Sequence, residues 1–409
     1  MTSVAGILRG IRIVEVASWT FVPSAGAVLA DWGADVIKVE PPGTGDPQRG
    51  LLSSGLVPGV VGGANYLVEQ PNRGKRSIAL DLKSREGRAV LDRLIDVSDV
   101  FLTNYLPDAR ANLRIEIDDV RARNRRIVYA LGSGQGARGL EAGKVGFDGT
   151  SYFARTGIAH ALTPSGSPRV SEQPPAFGDL MGGLALAGGI AAALLARERG
   201  AAPPVVDISL LALGVWNLAF PIVAAKLYEG IDLPKHGPDD LPNPVARAVY
   251  ETSDHRHLTF VLLDSDRYWP DFCRHIARRD LIDDPRFASA PARYENRREC
   301  IAELRRTFAG RTYGEWCERL ATMAGAWAPL KTPIEVHADP QVKANGLLPE
   351  VTTAEGVRLA LAASPVQFDG EPACPTAAPT HGQHTEEILL ELGLTWEDVA
   401  KLKETGAVP

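Results

Sequence analysis

Short runs of aliphatic and β-branched residues alternate with amphipathic stretches over the first part of the chain. Ile11–Val16 predicts a strand, and Ala25 to Trp32 a helix. Strands follow at Asp35–Glu40 and Ser77–Leu82, then a helix opening near Ser84. Val100–Thr103 predicts a strand leading into a further helix, and Arg126–Leu131 another strand. Strands of this kind separated by helical patterns predict an α/β fold with a Rossmann-like parallel sheet, whose ligands sit at the carboxyl ends of the strands. An apolar run from Leu180 to Ala196 reads as one core helix: it is slightly short for a membrane span and rich in Gly and Ala.

Gly, Pro, Asp and His cluster from Gly230 to Pro244 and mark a boundary. Beyond it, Tyr250–Thr252 and His257–Leu262 predict short strands, and Arg267–Arg278 and Arg293–Phe308 helices. A last amphipathic helix, His384–Leu392, closes at Gly393. The expected division is a large domain over residues 1–228, completed by 340–409, and a smaller α+β domain with linkers over 229–339. No internal repeat or low-complexity segment appears.

The 409 residues are long enough for two domains, and 45% hydrophobic with 23% charged residues describes an ordinary globular protein. A net charge of −6 argues against nucleic-acid partners and anionic membranes. Cys273, Cys300, Cys317 and Cys374 form no CxxC pair, so neither a zinc nor a disulfide framework is expected. His255 and His257, with His236, read as surface histidines because no cysteine or matched carboxylate accompanies them; no metal site is expected. Met1–Val4 soon meets Arg9 and Arg12 and begins no signal peptide, so a cytoplasmic location is expected. Residues 17–23, Ala-Ser-Trp-Thr-Phe-Val-Pro, carry no GxGxxG dinucleotide fingerprint after the first strand. The later glycines of Gly132-Ser133-Gly134-Gln135-Gly136 read as a plain loop able to approach a ligand.

One acid stands out. Asp179 lies in Pro174-Pro175-Ala176-Phe177-Gly178-Asp179-Leu180-Met181-Gly182-Gly183, just before the apolar run. Near a helix start, free backbone N–H groups and the helix dipole favour negative charge, and small neighbours admit a bulky substrate. Two readings stay open from the residues alone: a helix cap, and a nucleophile.

Ordered segments then point to a family. They are Leu29–Glu40 with Gly43-Thr44-Gly45-Asp46, Asn72–Lys83, Asn104-Tyr105-Leu106-Pro107, Gly178-Asp179 with Gly182-Gly183, Asp283–Phe287, and Gly382–Leu389. Together the chain resembles the class III CoA-transferases, the CaiB/BaiF family, which includes formyl-CoA and carnitine CoA-transferases and α-methylacyl-CoA racemases. The resemblance implies that Asp179 is the catalytic aspartate, carrying acyl anhydride and CoA thioester intermediates. It implies coenzyme A and acyl-CoA as substrates with no permanently bound cofactor, a carboxylic acid as the other partner, and an interlocked homodimer. It places CoA contacts at Trp19, Thr20, Gly74, Lys75, Asn104, Tyr105, Leu106 and Lys144. The glycines after Asp179, Gly182 and Gly183, are expected to stabilise the oxyanion.

Two departures bear on the phosphate clamp. Pro41-Pro42 and Asn112 stand where relatives carry basic residues, leaving Arg110 or Arg114 as substitutes. An α-methylacyl-CoA racemase is the nearest alternative, but its branch has a histidine before an aspartate where this chain reads Phe147-Asp148; phenylalanine relays no proton, and His160 is off the motif. A CoA-binding protein without catalysis is the other alternative, and the retained Asp179 argues against it. The lid glycines of oxalate-handling members are missing around residues 235–260, and Trp19, Phe147, Tyr152 and Phe153 suggest a larger or less polar acid.

Overall fold

The computed structural model describes residues 6–54, 63–228 and 243–409. Most of the boundary stretch, including His236, lies outside the described residues. The chain divides into two compact units: residues 1–160, 172–228 and 340–409, and residues 161–171 with 229–339.

The larger unit is built on β1 (Arg12–Val16), β2 (Asp35–Glu40), β3 (Arg76–Ala79), β4 (Val100–Thr103), β5 (Val128–Ser133) and β6 (Val205–Ser209). They form one sheet in the order β3-β2-β1-β4-β5-β6. Every pairing is parallel, with Ile13 opposite Val36 on one side and Val100 on the other. The strand order reverses between β1 and β4, which opens a crevice at their carboxyl ends.

Alternation along the strands builds two cores. Ile13, Val36, Val100 and Val128 face one side, with residues of the Phe21–Asp31 and Phe177–Glu198 helices. Val14, Ile37, Phe101 and Tyr129 face the other, with the Arg85–Asp96 helix and the C-terminal Ile388, Leu389, Val399 and Leu402. Ser84 caps that helix by accepting from Gly87 N–H at 3.0 Å.

Several elements depart from the sequence expectation. The first helix begins at Phe21, four residues before Ala25, because Pro23 fits a first helical turn. Arg293–Phe308 is two helices, broken at Asn296. A final helix, Trp396–Glu404, follows Gly393, with Thr395 and Asp398 in a reciprocal capping box.

The apolar Phe177–Glu198 helix is long and apolar enough to cross a membrane. Here its small-residue face lies directly on the Phe21–Asp31 helix: a Cβ on Gly183 would stand 2.5 Å from Ser24 Cβ, and one on Gly182 2.4 Å from the Phe21 ring.

The other unit carries the antiparallel sheet β7 (Ala248–Glu251), β8 (His257–Phe260) and β9 (Trp327–Pro329). Its core gathers Tyr250, Phe260, Phe272, Phe308 and Trp316, with Cys273 and Cys300 as free thiols. His255 Nδ1 lies 2.6 Å from Glu251 Oε1 on the surface. No metal-binding cluster of three or more His, Cys, Asp or Glu occurs among the described residues.

Candidate active site

The crevice at the β1–β4 reversal holds a cavity of about 660 Å³, walled by the segments that leave the sheet. Ser18 and Trp19 follow β1, and Asn104, Tyr105 and Leu106 follow β4. Gly132 and Ser133 end β5, with Gly134 next, and Leu210 follows β6. The first two segments are tied across the reversal: Ser18 N–H donates to Asn104 Oδ1 at 3.1 Å, and Asn104 Nδ2 donates to Ser18 carbonyl at 2.7 Å. Burial raises the Tyr105 phenol above its ordinary pKa, partly offset by its bond to Ser18.

Asp179 is the one carboxylate in this wall among the described residues. It sits in the first turn of its helix, half-buried, and makes no side-chain hydrogen bond among the described residues. The helix end is served by another acid: Asp148 Oδ1 accepts from Gly178 N–H at 3.1 Å, and the carboxylate also takes the Phe177 N–H. Asp179 is therefore not the cap. Burial, and then the negative charge of Asp148, raise its carboxyl to about 7. A carboxylate poised there is ionised in a large fraction near neutrality yet poorly solvated, which suits a nucleophile.

Trp19 has a backbone φ of 70°, a conformation that costs a non-glycine residue about 1–3 kcal/mol. Its N–H donates to Asp46 Oδ1 at 3.1 Å. The indole meets Phe147 edge-to-face, with centroids 5.9 Å apart. Behind it lies a buried chain of charge. Lys38 Nζ bonds Asp46 Oδ2 at 2.8 Å and Glu15 Oε1 at 3.2 Å, and Lys75 Nζ reaches both oxygens of Glu15 at 2.8 Å. Burial would push Lys38 down, but Asp46, Glu15 and Glu40 outweigh it and hold it above the usual lysine value. Lys75 falls to about 8, since burial and the Lys38 charge win over Glu15.

Several expected contacts are placed elsewhere. Lys75 is fully buried, and its ammonium is also bonded to Pro23 carbonyl and Asn72 Oδ1, so it presents no charge to a phosphate. Gly74, with φ 73°, turns the chain while its N–H bonds Thr376 carbonyl, outside the cavity wall. Thr20 is buried behind the wall and accepts from Gln48 Nε2 at 3.1 Å. Gly182 and Gly183 lie inside the helix, where their amides belong to the i→i−4 ladder and are not free for an oxyanion; they serve helix packing instead. Tyr152 and Phe153 are core residues. Lys144 is exposed and paired with Glu141 at 2.7 Å, beside the wall residues Ala142 and Val145 but not in the wall.

Further basic groups lie nearby: Arg114, named above as a possible clamp substitute, and Lys83, Arg85 and Arg88, which the motifs did not single out. Tyr105 also lines a cavity of about 310 Å³ that Lys83 shares, and another of about 980 Å³ with Lys83, Arg85, Arg88 and Arg114. Arg88 is bound to Asp92 and to two carbonyls. Lys83, Arg85 and Arg114 have no ion-pair partner among the described residues. Lys83 stood in the Asn72–Lys83 segment all along, but nothing in its local pattern separated it from Lys75.

The chain matches the sequence model of CoA-transferase family III over residues 8–385. It is 28% identical over 403 residues to (R)-2-hydroxy-4-methylpentanoate CoA-transferase of Clostridioides difficile, covering 98% of this chain and 99% of that one. It is 31% identical to an acyl-CoA transferase of Fusarium pseudograminearum, covering 100% of this chain and 89% of the other. Its fold is similar to the crystal structure of a CaiB/BaiF family protein from Brucella suis, with a TM-score of 0.78 and 27% identity over 95% of this chain and all of that one. With a six-stranded parallel sheet, a lone acid at the strand-order reversal and a match spanning nearly its whole length, the chain belongs to CoA-transferase family III and is a CoA-transferase.

Proposed function

We propose that the chain moves CoA from an acyl-CoA to a carboxylic acid through covalent intermediates on Asp179. The observation that carries this is the placement of Asp179, a lone, unbonded acid with a raised pKa in the wall of the crevice cavity. Its carboxylate attacks the thioester carbonyl, forming a mixed anhydride and releasing CoA thiolate. The thiolate then attacks the aspartyl carbonyl of the anhydride, expelling the donor acid and leaving an aspartyl-CoA thioester. An acceptor carboxylate reverses the sequence, and Asp179 is regenerated. Each carbonyl is passed between activated forms, so thioester energy is conserved.

Incubating the protein with acyl-CoA and hydroxylamine is the direct test. A hydroxamate at Asp179, found by peptide mass spectrometry, is expected; an unmodified Asp179 under conditions of turnover would remove it as the carrier.

The phosphates of CoA are assigned to the basic cavity beyond Tyr105. Lys83→Ala is expected to raise KM for acyl-CoA about tenfold with kcat nearly unchanged, the effect of losing one charge-assisted contact. An unaltered KM would move the nucleotide elsewhere.

The working form is proposed to be a homodimer. Trp216, Phe220, Val223 and Leu227, on the helices Leu210–Asn217 and Ala219–Leu227, are exposed, and an apolar surface of this extent favours a protein partner. Sedimentation at micromolar concentration is expected to give a dimer, and a monomer there would refute it.

A further inference from the structure

If Asp179 carries acyl groups as proposed above, the cavity wall around it also limits which acids it can carry. Among the described residues, Asp179 supplies the only negative side chain of that wall, and Arg110 the only cation. Arg110 is already committed: one guanidinium nitrogen donates to Tyr105 carbonyl at 2.7 Å and another to Glu116 at 3.2 Å. A second carboxylate on a bound acid would thus lose water, gain no free counter-charge and stand near Asp179. Burying an unpaired charge on those terms is strongly unfavourable.

The wall is suited to apolar groups instead. Trp19 and Phe147 meet edge-to-face, and Phe21, Val145 and Leu210 add aliphatic and aromatic surface. Gly132, Gly134 and Gly146 bring bare backbone into the same wall, and their own Cα faces are closed by packing, as a Cβ on Gly132 would stand 2.2 Å from Val22.

The backbone that carries this pair is fixed. The Trp19 amide is held by Asp46, which is itself locked by buried Lys38. The Phe147 N–H donates to Thr150 Oγ1 at 3.0 Å, and its carbonyl accepts from Ser151 N–H at 2.8 Å. An aromatic pair on a held backbone, with only two side-chain torsions each, loses little freedom when a ring or branched chain binds against it.

We propose that Trp19 and Phe147 are specificity-determining residues that select monocarboxylic acids with apolar or aromatic bodies and reject dicarboxylic acids.

The test is exchange of a ¹³C-labelled acid into its own unlabelled acyl-CoA, which requires no knowledge of the natural donor. Phenylacetate and 4-methylpentanoate are compared with oxalate and succinate, each paired with its own CoA thioester. The apolar acids are expected to exchange with kcat/KM about 100-fold higher than the dicarboxylates, the ratio that a few kcal/mol of unpaired charge produces. Equal or faster exchange of succinate or oxalate would overturn the inference while leaving CoA transfer intact. Absence of exchange with all four acids would instead overturn the transfer reading on which it rests.

Phe147→Arg adds a charge where the wall has none free. It is expected to narrow the ratio between apolar acids and succinate at least tenfold, a change of preference that simple loss of folded protein would not produce. An unmoved ratio in a folded variant would remove Phe147 from the selection.

Discussion

Asp179→Asn is expected to lower kcat for CoA transfer by about 10⁴-fold or more, because it removes the group proposed to bond the acyl chain and CoA in turn. Steady-state turnover of acyl-CoA with a carboxylic acid, checked alongside binding of CoA, provides the measurement. Binding is expected to persist, since the Lys83 cavity lies beyond Tyr105. A variant retaining a tenth of the activity would end the nucleophile assignment.

The same residue sets two pH dependences. As the nucleophile must be ionised, kcat/KM is expected to rise with pH through an apparent pKa of about 7, the value to which burial and then Asp148 push the free carboxyl. Stability runs the other way. An acid whose folded-state pKa stands above its unfolded value of 3.8 holds its proton more tightly when folded. Stability is therefore lost as pH rises from the unfolded titration towards about 7. Asp179→Asn escapes that loss, so it is expected to melt higher than the parent at pH 8 and at the same temperature below about pH 4. Identical melting curves at pH 8 would contradict a poorly solvated carboxylate.

Glu15→Gln is expected to destabilise the larger unit by about 3–5 kcal/mol, the cost of breaking a buried ion pair from one side. Glu15 is the carboxylate shared by Lys38 and Lys75, and all three side chains are fully buried. Even the neighbouring helix makes room for them: a Cβ on Gly26 would stand 2.1 Å from Glu15 Oε2. Urea unfolding followed by a signal from the larger unit reports the loss. Replacing Glu15 and Lys75 together by Leu and Met is expected to recover most of it, because Lys38 keeps Asp46 and no unpaired charge remains. A loss under 1 kcal/mol for Glu15→Gln would show that the cluster is not closed to water. Because Asp46 also holds the Trp19 amide, activity is expected to fall further than stability alone explains.

Local chemistry made much of the sheet and the chemical centre legible. Apolar strand runs ending in Ser18-Trp19 and Asn104-Tyr105 were enough to predict parallel strands with a site at their carboxyl ends, and the setting of Asp179 marked it as a candidate. β6 escaped notice because Val205–Ser209 is an edge strand with alternate residues half exposed, and it follows Pro203-Pro204. Lys75, flanked by Arg73 and Arg76, escaped local reading for a related reason. Each cation has a partner remote in sequence: Asp31 for Arg73, Glu15 for Lys75, and Asp35 with Glu391 for Arg76. No local pattern distinguishes such a buried cation from Lys83, which remains free.

The amino-acid order by itself determined the α/β class, the strand runs, the family resemblance and Asp179 as the candidate acid, because these rest on periodicity and on residue types close together in the chain. Tertiary structure alone decided that Asp148 caps the helix bearing Asp179, that Gly182 and Gly183 pack helices, and that Lys83 rather than Lys75 faces open space. It also decided that burial and then Asp148 raise the Asp179 carboxyl to about 7. Burial, charge pairing and the approach of one backbone to another depend on segments brought together from across the chain, and only the folded sheet sets those distances.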